Sequence, residues 1–193
     1  MPVRDSTLTR LLDAVDEVVF AAGAADAPVD VILERARVSP ATLYRAFDSK
    51  DGLLAAALDR RHAEWIEVWD LAISRESTDR ERLLAVFDAL DDFQSRATGA
   101  RWCAFLGTTA AHVEPEPVLA AAVRQDSESM RSRLHELAVP LVGDDAPVLV
   151  EALVLLCSGR LAMRLRPSTR STPRPPAREL AELLLDHPGH LGP

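Results

Sequence analysis

Few side chains in this chain of 193 residues have the types and spacing that enzymes or metal sites need. The G-x-S-x-G and H-E-x-x-H motifs and the phosphate-binding P-loop are absent, and the eight glycines are scattered. Cys103 and Cys157 are too few for a Cys-rich zinc site, and His112 with Glu114 and Glu116 falls on a stretch broken by proline. We therefore predict no catalytic residue, no metal ion and no cofactor.

The side chains with a definite chemical use lie between residues 38 and 54. Ser39 is a good N-cap and Pro40 a good first residue of a helix, so we predict a short helix over residues 40–46. Leu43 and Phe47 would face the core. The opposite face of such a helix is the one that a helix-turn-helix protein inserts into the major groove of DNA.

Four residues on that face have side chains suited to DNA. Thr42 can donate a hydrogen bond to a base or a phosphate, and Ala41 can pack on a thymine methyl group. Arg45 can form paired hydrogen bonds with guanine or bind a phosphate, and Tyr44 lies beside it in the sequence. Because all four are near the N-terminal end of the helix, they fall where base edges are contacted.

Residues 38–54, with the sequence VSPATLYRAFDSKDGLL, resemble the signature of the TetR family of transcriptional repressors. The shared features are the capped helix, Tyr44 and Phe47 three residues apart, and a Ser-Lys-acid turn into a long fourth helix. With the two preceding helices, the resemblance covers about residues 6–60. It implies a helix-turn-helix DNA-binding domain over residues 1–49 and a helical effector-binding and dimerisation domain over residues 50–193.

The resemblance also implies roles for individual residues. Tyr44 and Lys50 would bind phosphates, and Lys50 opens a helix whose first backbone amides favour an anion. The family often has glycine in the turn where this chain has Arg37, and threonine where it has Ala27-Pro28. Arg37 adopts a left-handed conformation less easily than glycine but adds a charge. The residues predicted to contact DNA are Arg37, Ser39, Pro40, Ala41, Thr42, Tyr44, Arg45 and Lys50.

The spacing of apolar residues predicts an all-α protein, with a three-helix helix-turn-helix domain followed by a larger helical bundle. Apolar side chains recur three and four residues apart, and alternating strand patterns are missing. The segment 166–176 holds four prolines and is expected to be an exposed loop. The predicted helices are 6–22, a short one from Pro28, 40–46, 50–74, one after Thr78, one from about 101, one from Pro117 that Pro140 and Gly143 end, 147–165 and 177–186.

The charge of the chain argues against binding nucleic acid by bulk electrostatics. The net charge is −8, and residues 1–50 hold six basic against eight acidic residues. Any DNA contact must therefore be local. Two other hypotheses stay open: a ligand-binding or protein-interaction protein of the same fold with weak or lost DNA binding, and a small helical enzyme that uses a cavity of the bundle.

A pocket for a small, largely apolar effector is implied between the central helices, and its ligand would release the protein from a near-palindromic operator. Aromatic and methionine side chains supply the apolar lining that such sites use. Any single one of them at helical spacing is more often core than ligand wall, and for Arg160 an ion pair at the edge of the bundle is the favoured interpretation. The candidate ligand-binding residues are Trp65, Trp69, Phe87, Phe93, Trp102, Phe105, His112, Met130, Leu134, Arg160 and Met163.

The last two helices carry more apolar surface than one neighbour would cover, which predicts a homodimer formed through them. Two recognition helices would then reach successive half-sites of the operator.

The longest apolar stretch, residues 146–157, carries Glu151 and is shorter than the ~20 residues of a membrane span, so no membrane contact is predicted. The few cysteines and the lack of an apolar leader favour a cytoplasmic location.

Overall fold

A computed structural model describes residues 4–24, 26–96, 100, 102–166 and 176–187, and the described residues form helices and no strand. The predicted all-α fold is confirmed. The α-helices are α1 (Asp5–Val15), α2 (Val29–Ala36), α3 (Pro40–Phe47), α4 (Lys50–Ser74), α5 (Asp79–Gln94), α6 (Ala104–Ala111), α7 (Pro117–Val142), α8 (Ala146–Ala162) and α9 (Ala177–Asp186). Residues 167–175, which make up most of the predicted loop, lie outside the described part.

The first predicted helix is divided in the structure. α1 ends at Val15 and continues as a π-helix over Asp16–Ala21, after which Gly23 adopts a φ of 74°. A π-helix differs from an α-helix by one residue per hydrogen-bonded turn, so apolar spacing over a single turn does not distinguish the two.

The seventh helix ends before Gly143 as predicted, but the part assigned to Pro140 in ending it is wrong. α7 contains Pro140 and continues to Val142, and Gly143 then adopts a φ of 56°. Because Pro140 stands so close to the end of the helix, its missing N–H removes only one of the last hydrogen bonds. The carbonyl that would have accepted that bond belongs to Glu136, an exposed residue, and water can satisfy it.

The chain forms two compact units. One comprises Met1–Glu64 and Arg96–Asp126, and the other comprises Trp65–Ser95 and Ser127–Pro193. Each has its own apolar core. The first is built on Leu11, Ile32, Leu43 and Leu58, and the second on Trp69 of α4 together with side chains of α5, α7, α8 and α9. The predicted domain boundary between residues 49 and 50 stays a prediction.

The helical run within Pro117–Leu165 contains an 18-residue window with a mean hydropathy of 1.7, apolar enough to cross a membrane by length and composition. Such a window is weak evidence for a membrane span, because core helices of soluble proteins have the same composition. Only 28% of the window is buried. The run therefore leaves apolar side chains uncovered, among them Leu155 at 72% exposure.

The turn between α3 and α4 is closed by hydrogen bonds and by a close backbone approach. Asp48 adopts a φ of 61°, and Ser49 caps α4 because its Oγ accepts a hydrogen bond from the N–H of Gly52 at 2.9 Å. A Cβ atom on Gly52 would lie 2.0 Å from the carbonyl oxygen of Phe47. Only glycine fits where α4 begins against the last residue of α3.

We expect Gly52→Ala to lower the free energy of unfolding by about 1–3 kcal/mol, because the clash is with the backbone and cannot be relieved by a side-chain rotation. Chemical denaturation at a fixed protein concentration measures it. The exposed Ala63 of α4 gives the control: Ala63→Gly should cost about 1 kcal/mol, the intrinsic preference of a helix for alanine. A Gly52→Ala variant as stable as the parent would contradict the packing of α4 on α3.

Candidate nucleic-acid interface

A helix-turn-helix is formed by α2, residues 37–39 and α3, all within the first unit. At the end of α2 the N–H of Val38 donates to the carbonyl of Leu33 and the N–H of Arg37 to that of Glu34, both at 3.1 Å. Arg37 has φ 54° and ψ 49°, the left-handed conformation that completes this C-terminal motif. The turn that favours glycine therefore holds an arginine, whose exposed side chain stands at the junction of the two helices.

The first turn of α3 differs in one detail from the expected cap. Ser39 occupies the N-cap position with an extended backbone, and Pro40 follows as the first helical residue. The Ser39 hydroxyl makes no bond to the backbone of α3 and instead pairs with the Thr42 hydroxyl at 2.9 Å. The cap role predicted for the Ser39 side chain is therefore wrong, because the hydroxyl of Thr42 competes for it.

The two faces of α3 are arranged as the spacing predicted, but Arg45 lies in the last turn of the helix and not near its N-terminal end. Leu43 is fully buried and Phe47 is half-buried in the first core. On the other side Tyr44 is 48% exposed, and Arg45 beside it is exposed as well. The remaining residues predicted to contact DNA are exposed at Pro40 and Ala41 and half-buried at Thr42 and Lys50. The helix therefore presents one phenol and one guanidinium to solvent.

A groove of about 310 Å³ lies beside the turn, between α1 and α2. Arg37 shares it with Arg35, which forms an ion pair with Glu17, and with Arg10 of α1. Sequence reasoning missed Arg10, because only the packing of α1 on α2 brings it to the turn. The other residues lining the groove are Asp13, Ala14, Glu17 and Ala36. Three guanidinium groups thus face two carboxylates in a domain that is acidic overall.

A buried carboxylate joins the π-helix after α1 to α4. Asp16, 5% exposed, accepts hydrogen bonds from Arg60 and from Arg61, and Arg60 also bonds Asp13 at 2.8 Å. Arg61 stacks over the ring of Phe20, 5.7 Å from its centre. Burial raises the pKa of the Asp16 carboxyl against the opposing pull of Arg60, and burial lowers the pKa of Arg61. Sequence reasoning gave no signal for this network, whose members are more than 40 residues apart.

The candidate ligand-binding residues are divided between the two units. Trp102, Phe105 and His112 belong to the first, where Trp102 lines a cavity of about 30 Å³ and His112 Nδ1 bonds the carbonyl of Thr108 at 3.0 Å. The second unit contains Trp65, Trp69, Phe87, Phe93, Met130, Leu134, Arg160 and Met163.

Within the second unit, three of these aromatic side chains form one cluster. Trp65 lies 5.3 Å from Trp69 and 5.7 Å from Phe93 between ring centres, and the guanidinium of Arg133 stacks over Trp69 at 5.1 Å. Among the other candidates, Phe87 and Leu134 are buried in the core, Met163 is 43% exposed, and Arg160 forms an ion pair with Asp91.

Three buried donors of the second unit have no hydrogen-bond partner among the described residues: Trp69 Nε1, Gln94 Nε2 and Arg133 Nε. A buried donor without a partner costs about 1–3 kcal/mol, so water or a ligand is expected to satisfy it. Apolar periodicity could not show these donors, since it detects buried side chains but not whether their polar atoms are paired.

Burial favours the protonated form of both thiols. Burial raises the pKa of Cys103 to about 11 and that of Cys157 to about 12. Cys103 instead has a structural role, because its Sγ accepts a hydrogen bond from the N–H of Leu106 at 3.5 Å and so caps α6. In the described part of the chain, no group of three or more His, Cys, Asp or Glu side chains is placed to hold a metal ion.

We expect Arg37→Gly to raise the free energy of unfolding by about 0.5–1 kcal/mol, because glycine adopts the left-handed conformation without the steric cost that an L-residue pays. Arg37→Ala is the matched control: it removes the same charge but keeps the steric cost, and its stability should match that of the parent. Thermal denaturation of the three proteins compares them. Equal stability of the glycine and alanine variants would contradict a strained turn.

Comparison with known proteins gives one family and one fold. Residues 11–57 match the family model described as bacterial regulatory proteins, tetR family. A TetR-family transcriptional regulator from Streptomyces coelicolor is 24% identical over 97% of this chain and 88% of its own, with a TM-score of 0.75. A putative regulator of the same kind from Streptomyces avermitilis is 22% identical over 93% and 98%, also with a TM-score of 0.75.

A further similar structure is the multidrug binding protein EbrR in complex with imidazole. It is 21% identical over 96% of this chain and 94% of its own, with a TM-score of 0.62. No curated protein sequence matches the chain.

Proposed function

We propose that this chain, whose residues 11–57 match the tetR family of bacterial regulatory proteins, is a cytoplasmic, dimeric repressor. It would be released from a near-palindromic operator when a small ligand binds its C-terminal part. The observation that carries the proposal is the helix-turn-helix itself. α3 follows α2 across a three-residue turn, its apolar face is buried, and Tyr44 and Arg45 are free to meet DNA.

Sequence reading is assigned to the exposed side of α3. Arg45 reads guanine or binds a phosphate, and Ala41 packs on a thymine methyl group. Tyr44 and Lys50 position the domain on phosphates, and so does Thr42, whose hydroxyl is hydrogen-bonded to that of Ser39. Arg10 and Arg37, which line the groove beside the turn, are the local cations through which we propose that a chain with a net charge of −8 approaches DNA.

The ligand we propose is largely apolar and planar, with at least one hydrogen-bond acceptor. Trp65, Trp69 and Phe93 form an apolar cluster that we propose as one wall of the site. Trp69 Nε1 and Arg133 Nε, which have no partner among the described residues, would be satisfied by an oxygen or nitrogen acceptor.

The apolar faces of α8 and α9 support the dimer. Leu155 and Val148 of α8 are 72% and 46% exposed, and Leu183 and Leu180 of α9 are 55% and 43% exposed. Apolar side chains in such number on two helices of one unit are typical of an interface between copies. The two helices of one copy would pair with the same two of the other around a twofold axis.

A second candidate function is ligand or protein binding without DNA. The excess of acidic over basic residues in positions 1–50 favours it, because nonspecific attraction to DNA is weak. Sequence-selective binding that weakens with salt would exclude this candidate.

Selection of random duplex DNA on the purified protein tests the repressor, and we expect a near-palindrome to be enriched. Arg45→Ala should weaken binding to that duplex by about 1–3 kcal/mol and relax the selection at one base pair of each half-site. Tyr44→Ala should weaken binding without changing the selected sequence, because its expected partner is a phosphate.

Arg164→Ala is the control for charge, because Arg164 is an exposed arginine of the second unit. Its affinity should equal that of the parent. If no sequence is enriched even at low salt, the repressor is excluded for this protein.

We expect Leu155→Lys to raise the dimer dissociation constant more than about tenfold, because a charge would be buried in an apolar interface. Analytical ultracentrifugation over a range of concentrations measures it. Val113→Lys is the control, since Val113 is 91% exposed on the loop before α7. A parent protein that remains monomeric at micromolar concentration, or a Leu155→Lys variant that dimerises as well as the parent, would contradict the interface.

A further inference from the structure

Two hydrogen bonds join Glu116 to residues at the start of α4, one to Ser49 just before the helix and one to Asp51 in its first turn. The hydroxyl of Ser49 donates to Glu116 Oε2 at 2.7 Å, and the backbone N–H of Glu116 donates to Asp51 Oδ2 at 2.8 Å. These residues are 65 or more positions apart in the sequence and belong to the same compact unit. We call this pair of bonds the Glu116 clasp.

Both sides of the clasp are helix N-termini. Ser49 caps α4 through the N–H of Gly52, while the carbonyl of Glu116 accepts the bond from Ala120 N that opens α7. The N-terminus of a helix carries about half a positive charge, and a carboxylate placed there is stabilised by roughly 0.3–1 kcal/mol. The carboxylates of Glu116 and Asp51 thus lie between two positive helix ends and neutralise them.

The end of α4 held by the clasp is the one assigned to DNA. Lys50 is its first residue, and the amides that follow Ser49 favour a phosphate for the same electrostatic reason that they favour the Glu116 carboxylate. A phosphate bound at Lys50 and these amides would lie next to Ser49, whose hydroxyl holds the Glu116 carboxylate, and two neighbouring anions repel each other.

We propose that Glu116 is a built-in competitor of the DNA backbone, which lowers operator affinity while the clasp is closed. The inference rests on the proposed function and deepens it by naming a contact through which affinity is set. Because Glu116 is the residue that opens α7, any displacement of the start of α7 breaks the clasp and frees the end of α4. By linkage, DNA bound at α4 disfavours the closed clasp by the same free energy.

The test compares Glu116→Gln with Glu114→Gln on one fluorescent duplex, the sequence that the parent enriches from random DNA. Both changes remove one negative charge from the same loop, but Glu114 is exposed and its side chain makes no hydrogen bond or ion pair with the described residues. We expect Glu116→Gln to bind two- to fivefold tighter than Glu114→Gln. The slope of log K against log salt should steepen by about one, since one more phosphate contact forms.

Two results would overturn the clasp as a competitor. Equal affinities and equal salt slopes for the two variants, with the parent binding DNA, would reject this inference and leave the repressor standing. Failure of the parent and of Glu116→Gln to select any sequence would reject both.

The unfolding midpoints of the two variants distinguish a clasp that only stabilises the fold from one that competes with DNA. The former would lower the unfolding midpoint of Glu116→Gln below that of Glu114→Gln without changing the affinity ratio, and this outcome also rejects competition.

Discussion

The buried carboxylate of Asp16 is the interaction on which the DNA-facing part of the molecule depends. Its side chain stands among apolar residues of the first core, where an ionised group is tolerated only if it is paired. Arg60 and Arg61, adjacent on α4, provide two partners, so the π-helix after α1 is fixed to the helix that follows the recognition helix. Removing one partner of such a pair typically costs about 3–5 kcal/mol, more than most apolar contacts contribute.

Some local features of this fold could be predicted from the sequence to within a residue, whereas the start of α6 and the end of α8 differ from the prediction by about three residues. The bounds of α4 and α9 agree with the apolar spacing, and Gly23 ends the first helical segment as expected. The left-handed conformation of Arg37 was anticipated from its place in a turn where relatives use glycine. These features are set by residues within a few positions of each other, which is why a linear reading finds them.

Contacts between distant residues could not be predicted in the same way. Nothing in the pattern pairs Asp16 with Arg60 or Ser49 with Glu116, since many acidic and polar residues are available at similar distances along the chain. Pro140 failed as a helix terminator for a related reason: whether a lost hydrogen bond matters depends on the exposure of the group left unpaired. The division of the candidate effector residues between two compact units is likewise a property of packing and not of spacing.

The sulfur cap of α6 has a consequence for the order in which the first unit opens. Sulfur is a weak acceptor, and α6 has only eight residues, so its first turn is held less firmly than that of a helix capped by an oxygen such as Thr78 on α5. We expect amide protons of α6 to exchange with solvent before those of α4. Glu116, which bonds the residues at the start of α4, thus follows a helix whose first turn is weakly capped.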